Sequence, residues 1–151
     1  AVFEIEVSEF FNKPELSDEI FGPATLLIRT NDHEEMLSIA RSLEGQLTAS
    51  VHGTEDDLAE YADLVAILET KAGRLIFNGF STGVEVCPSM VHGGPYPATS
   101  DSRSTAVGTR AIERFSRLVC FQNYPQRSRP DELKDENPLG IRRMVNGEFA
   151  R

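Results

Sequence analysis

Apolar and polar positions along the chain follow two periods in turn, first that of a strand and then that of a helix. Val2 to Val7 alternates, which predicts a strand, and Ala24 to Arg29 predicts a second, more continuously apolar one. Asn31 or Asp32 then offers a cap to a helix, and Glu34 or Glu35 three residues on completes a capping box. Met36, Ile39, Ala40 and Leu43 share one face at helical spacing, and Gly45 stops the helix. Leu47 to Val51 predicts the next strand. Thr54 caps a second helix, with Glu55, Asp56 and Asp57 crowding its positive end. Leu58, Tyr61, Ala62, Val65 and Leu68 form its apolar stripe, and Gly73 ends it. Leu75-Ile76-Phe77 reads as a short buried strand. Repeated units of this kind favour a parallel sheet with right-handed crossovers. The expected fold class is therefore α/β, with strands and helices alternating around a mostly parallel sheet.

Periodicity is lost from Phe80 to Arg103, where Gly, Pro, Ser and Thr dominate. Loops this long within compact domains are usually functional or disordered. A third helix is expected over Ser104 to Ser116, with Ala111, Ile112, Phe115 and Leu118 inward and Arg103, Arg110, Arg114 and Arg117 on another face. Leu118 to Phe121 then reads as a last strand holding Cys120 in the core, ended by Tyr124-Pro125. Gln126 to Arg151 is charged and proline-marked, with a small apolar knot at Leu139, Ile141 and Met144. The expected organisation is a body over 1–125 and a tail over 126–151. The tail reads as packing against something else, such as another subunit, without a core of its own.

Composition narrows the class. At 151 residues the chain is about one domain's worth, and 40% hydrophobic with 26% charged residues is ordinary for a soluble globular domain. The net charge of -9 is split unevenly, -13 over residues 1–70 and +4 over residues 71–151. A nucleic-acid partner requires a concentrated basic footprint to neutralise phosphates, so nucleic acid is set aside. Apolar runs are too short to span a bilayer, and no basic-then-apolar leader opens the chain, so no membrane partner is expected. Cys87 and Cys120 form no CxxC pair, and His33, His52 and His92 are scattered. Free thiols, a cytoplasmic setting and no metal site are the expectation. The chain opens at Ala1 directly into a strand, which suggests a piece of something longer.

Candidate chemistry gathers in two places. Glu19-Ile20-Phe21-Gly22-Pro23 lies in the loop ahead of the second strand. An ionised carboxylate there can accept hydrogen bonds from both hydroxyls of a ribose, and a phenyl ring two residues on can pack beside a flat heterocycle. The plainer alternative is an acidic loop (Ser17, Asp18, Glu19) running into a strand. The second place is His92-Gly93-Gly94-Pro95-Tyr96-Pro97, where paired glycines permit close approach to a ligand. It has no phosphate-loop pattern, and a lone histidine is more often a hydrogen-bonded structural residue than a proton shuttle. Cys87 lacks a basic neighbour or a helix start to lower its pKa, so a small buried residue is its plainer role. No complete catalytic set emerges from these residues.

In this order the segments resemble the aldehyde dehydrogenase superfamily. Glu19-Ile20-Phe21-Gly22-Pro23 is similar to its glutamate-x-phenylalanine-glycine-proline motif, and Gly45 to Val51 to the glycine-leucine-threonine-alanine-serine strand that follows. Gly73 to Asn78 resembles the next strand, which an asparagine ends. Gly79 to Cys87 and His92 to Thr99 are similar to the branch that oxidises 2-oxoglutarate semialdehyde, with fatty aldehyde dehydrogenases as relatives. The match runs on through Phe121 to Pro125 and into Pro138-Leu139-Gly140.

The resemblance implies a C-terminal part of the catalytic domain of an NADP-linked (or NAD-linked) enzyme that turns the semialdehyde into 2-oxoglutarate. It implies that Glu19 holds the nicotinamide ribose and Phe21 packs near the ring. The loop from Cys87 to Thr99, with His92, Gly93 and Gly94, would line the aldehyde entrance. The last strand and tail would join the interface of a homo-oligomer. In the superfamily the nucleophile stands in a glycine-glutamine-x-cysteine context, which nothing here matches. The general-base glutamate and the dinucleotide-binding domain likewise fall upstream, so the chain alone is expected to be inactive. A fatty or other aldehyde as substrate, and a non-catalytic α/β binding or assembly module, are the two rival expectations.

Overall fold

A computed structural model describes residues 1–150; Arg151, the last residue of the expected tail, lies outside the described residues. The chain divides into two units, Ala1–Ser116 and Arg117–Arg151.

In the first unit β1 (Val2–Glu6) pairs in parallel with β2 (Thr25–Arg29), Val2 opposite Thr25 and Glu6 opposite Arg29. Strand β1 stops one residue short of the expectation. Val7 instead opens α1 (Val7–Asn12), which buries Val7 and Phe10 on one face. Asp32 caps helix α2 (His33–Ser42) as expected, but the return bond of the capping box falls one residue earlier, on Asn31. The Asp32 carboxylate accepts from the Glu35 N–H at 2.9 Å, and the Glu35 carboxylate accepts from the Asn31 N–H at 2.8 Å. Leu37 and Ala40 of this helix are buried.

Strand β3 (Ala49–Val51) is shorter than expected and pairs in parallel with β4 (Leu75–Phe77); a single bridge from Gln46 to Ala72 prolongs the ribbon. The helix expected between them is two, α3 (Glu55–Glu60) and α4 (Ala62–Lys71), parted at Tyr61 with φ -101° and ψ 32°. Side chains hold the break. The His33 ring stacks on Tyr61 with centroids 4.6 Å apart, and its Nε2 lies 2.9 Å from both oxygens of Asp63. Asp63 also accepts from the Leu64 N–H at 2.8 Å, satisfying a donor freed at the new helix start. Val7, Phe10, Leu37, Ala40, Leu68 and Ala72 are the buried apolar side chains of the unit, where α1 packs on β1 and β2 and where α2 packs on α4.

The parallel pairing is thus present twice, as separate ribbons. The third helix is not formed: Ser104 to Ser116 holds only a 3-10 segment, Ala111–Phe115. Gly108 sits at φ +98°, outside the helical region. The Thr105 hydroxyl bonds the Val107 carbonyl at 2.7 Å and the His92 N–H at 2.8 Å, offering the backbone an alternative to the helix. Its supposed inward face is outward, with Ile112 70%, Phe115 85% and Leu118 100% exposed.

In the second unit Leu118 to Phe121 forms no strand, and Cys120 is exposed rather than in a core. The expected knot does not close either: Leu139, Ile141 and Met144 are all exposed. The tail instead makes an antiparallel hairpin, β5 (Arg143–Val145) with β6 (Glu148–Ala150). Asn146 at φ 51° and Gly147 at φ 88° form its two-residue turn, and the Arg142 guanidinium sits 4.6 Å from the Phe149 ring centroid.

Candidate functional site

The loop ahead of β2 sets the first candidate. The Ala24 N–H donates to the Gly22 carbonyl at 2.8 Å, and the Thr25 N–H donates to the Ala1 carbonyl at 3.0 Å. These bonds fix where the bend enters the ribbon. Glu19 lies on the wall of a groove of about 670 Å³. Its floor is apolar (Phe3, Ile5 and Leu26), because paired residues of β1 and β2 project to the same face. Glu9, Lys13, Glu15 and Asp18 complete the rim. Glu19 makes no hydrogen bond or ion pair with another described residue, so both carboxylate oxygens stay available. Carboxylate oxygens without a protein partner beside an apolar floor can accept hydrogen bonds from a ligand. Phe21 does not line the groove; its ring is 92% exposed and points to solvent.

The loop after β4 sets the second. Asn78, at φ 50°, closes the strand and clamps it to the turn after β3. Its side chain accepts from the Gly53 N–H at 2.9 Å and donates to the Gly53 carbonyl at 2.8 Å. Arg74, which no sequence motif singles out, then holds the loop. Its guanidinium donates to the Gly83 carbonyl at 2.9 Å and to the Ser81 carbonyl at 3.3 Å. No carboxylate stands beside Arg74 in the sequence, and only the fold brings these carbonyls to it.

The paired glycines have a packing explanation. A Cβ on Gly94 would lie 2.3 Å from the Gln46 carbonyl oxygen, and one on Gly93 would lie 2.8 Å from that of Ser104. From the other side, a Cβ on Gly73 would lie 2.0 Å from the Gly93 oxygen, and one on Gly45 2.2 Å from that of Pro95. Backbone here meets backbone, and both loop glycines are buried. Gly45 and Gly73 are thus required by close approach, not by a left-handed helix end.

His92 is half-buried. Its backbone N–H donates to Thr105 and its carbonyl accepts from the Ala106 N–H at 2.9 Å, while Nδ1 is buried without a protein partner. Cys87 is half-buried too, its Sγ 3.4 Å from the Ser89 hydroxyl. A serine cannot serve as a base for a thiol, so this contact does not build a nucleophile. A small cavity of about 180 Å³ opens beside the stretch between them, walled by Pro88 to Val91 and Ser102 to Thr105. Cys87, His92 and Glu19 are not among its lining residues. Among the described residues no cluster of three or more His, Cys, Asp or Glu side chains can hold a metal, and no helix is long and apolar enough to cross a membrane.

Sequence comparison gives the groove and the buttressed loop a setting: the chain is homologous to aldehyde dehydrogenases. It is 55% identical over 138 residues, 91% of its length, to the alpha-ketoglutaric semialdehyde dehydrogenase of Acinetobacter baylyi. It is 47% identical over 148 residues, 98% of its length, to the alpha-ketoglutaric semialdehyde dehydrogenase 2 of Azospirillum brasilense. The matched stretches make up 26% and 28% of those proteins, so the chain spans about a quarter of their length. No family model matches the chain.

Proposed function

We propose that this chain is the C-terminal portion of the catalytic domain of an NADP-dependent aldehyde dehydrogenase that oxidises 2-oxoglutarate semialdehyde to 2-oxoglutarate. The identity to two enzymes of that printed name, sustained along nearly the whole chain, carries the reading. Within it Glu19 receives the two hydroxyls of the nicotinamide ribose, since its carboxylate is free and stands over an apolar groove. Phe21, exposed beside that groove's loop, packs near the ring. The nicotinamide, when bound, supplies the hydride acceptor. The loop from Cys87 to Thr99 lines the aldehyde entrance, and Arg74 fixes the chain that leads into it. The attacking cysteine and the general base come from other parts of the longer protein. The tail over 126–151 contributes to a homo-oligomer, and the protein works in the cytoplasm.

The test is an assay of NADP reduction by the longer protein with 2-oxoglutarate semialdehyde and with a medium-chain fatty aldehyde. Preference for the semialdehyde is the expected outcome, and preference for the fatty aldehyde would overturn the substrate. Glu19→Gln removes a charge-assisted pair of acceptors and is expected to lower kcat/KM for the nucleotide by roughly tenfold or more. An unchanged value would remove Glu19 from the cofactor site. The 151-residue chain alone is expected to show no turnover.

A further inference from the structure

Two asparagines of the chain are followed by glycine, in Asn78-Gly79 and Asn146-Gly147. In such a pair the glycine nitrogen can reach the amide carbon of the asparagine side chain, because glycine has no Cβ to obstruct ring closure and its backbone turns freely. Every other asparagine is followed by a residue with a side chain, and Asn137 by Pro138, which has no N–H to give up. The two pairs are matched locally. Asn78 stands at φ 50° and Asn146 at φ 51°, and both residues are exposed. They differ in what holds the side chain. The Asn78 amide is engaged at both ends, its oxygen accepting from the Gly53 N–H at 2.9 Å and its nitrogen donating to the Gly53 carbonyl at 2.8 Å. Its backbone N–H also donates to the Val51 carbonyl at 2.9 Å. Asn146 lies in the turn of a hairpin closed by three residue pairs, and its side chain makes no hydrogen bond among the described residues.

In the left-handed region the following nitrogen stands away from the asparagine Cβ, so in both pairs the backbone must leave that region before a ring can close. At Asn146 leaving it costs only the turn of a short exposed hairpin, an element that opens at low free energy. At Asn78 it also breaks both side-chain hydrogen bonds and frees the end of the β3–β4 ribbon. We propose that Asn146 is a modification site that deamidates spontaneously, while Asn78, held by Gly53, is spared. The Gly147 nitrogen bonds to the side-chain carbon of Asn146 and gives up its proton, the side-chain nitrogen leaves as ammonia, and a cyclic imide remains. Water then opens the imide. Attack at the side-chain carbon gives aspartate, and attack at the main-chain carbon gives isoaspartate, whose backbone runs through the former side chain. Water enters and ammonia leaves, with no oxidant or reductant. Either product adds a negative charge beside Glu148. Aspartate keeps the turn, because Asp-Gly suits the same geometry. Isoaspartate adds a carbon to the backbone of a two-residue turn, so the register of Val145 opposite Glu148 is lost, and with it the seat of Arg142 against Phe149. This chemistry needs nothing from the rest of a longer protein.

The 151-residue chain is incubated at neutral pH and growth temperature, folded and in concentrated urea, and its peptides are followed by mass spectrometry. In the folded chain the peptide holding Asn146 is expected to gain the mass of an amide turned acid at least roughly tenfold faster than the peptide holding Asn78, where two engaged hydrogen bonds must open first. In urea the two rates are expected to agree within about threefold, because the clamp is gone and the reacting pair is the same. An isoaspartate methyltransferase is expected to label the aged folded chain at Asn146 alone. Asn146→Gln, whose longer side chain closes a ring far more slowly, is expected to lose that label. Cross-strand NMR contacts between Met144 and Phe149 are expected to persist in the aspartate form and to vanish from the isoaspartate form. An Asn146 that stays an amide in the folded chain would overturn the site, and so would equal rates at the two asparagines there. A gap of the same size in urea would trace the difference to flanking sequence and overturn the protection by Gly53. Contacts that survive in both products would overturn the loss of register.

Discussion

At the scale of single residues, the glycines carry the most specific demands. Gly73 has no room for a side chain, since a Cβ would meet the Gly93 carbonyl at 2.0 Å, whereas Gly22 has nothing within 4 Å. The obstacle at Gly73 is backbone, so it moves only if the loop moves. Gly73→Ala is expected to destabilise the chain by about 1–3 kcal/mol, and Gly22→Ala to change stability by less than about 0.5 kcal/mol. Urea unfolding of both variants checks this, and equal midpoints would refute it. Gly45 and Gly73 are visible in the sequence as helix ends, and the helices do end there. Their reason for being glycine was not visible, because it depends on a loop some twenty to fifty residues further along the chain. Glu19 shows the opposite case. A short local motif marked it, and the groove under it follows from the alternation in β1 and β2.

At the scale of elements, local chemistry was legible and long-range packing was not. Both N-caps, Asp32 and Thr54, are legible from residue type and place, and the structure adds a reciprocal bond at the second. The Thr54 hydroxyl accepts from the Asp57 N–H at 3.1 Å, and the Asp57 carboxylate accepts from the Thr54 N–H at 2.7 Å. The Thr54 backbone N–H, and then its hydroxyl, hold the Asp57 carboxyl below its ordinary pKa. A depressed carboxyl contributes stability that is present above its unfolded pKa of about 3.9 and is lost as pH falls through the folded value. Acid titration followed by circular dichroism is therefore expected to show helix lost at and below that range. Asp57→Asn is expected to flatten the curve, and superimposable curves for the two chains would remove Asp57 as a contributor. The break at Tyr61 was hidden because His33, which stacks on it, lies in another helix. The hairpin turn Asn146-Gly147 was visible in principle, since that pair is a strong turn signal between strands. The charges around it favour instead the reading of a tail that packs against something else without a core of its own. The helix expected after Arg103 failed for a local reason, the positive φ of Gly108.

At the scale of the molecule, six buried apolar side chains among the described residues are few for the chain's length. Large apolar side chains stand uncovered within each unit, Phe3, Phe80 and Phe115 in the first and Leu118 in the second. Apolar surface of that extent marks contact sites. The isolated chain is expected to self-associate in sedimentation velocity, with a weight-average mass that rises with concentration. A single species at the mass of one chain throughout would contradict this. The α/β class was legible because each strand–helix–strand unit declares itself locally. Division of the strands into separate ribbons was not, since no local signal says which strands pair.

The contact between Gly45, Gly73 and the Gly93–Pro95 backbone separates two kinds of change open to this protein over generations. Val86 and Tyr96 project into solvent from the same loop at 72% and 83% exposure, and their replacement alters only what the loop displays. Replacement of the glycines alters where it runs. The loop's route is inherited with the helix ends it rests on, and its decoration is free to drift.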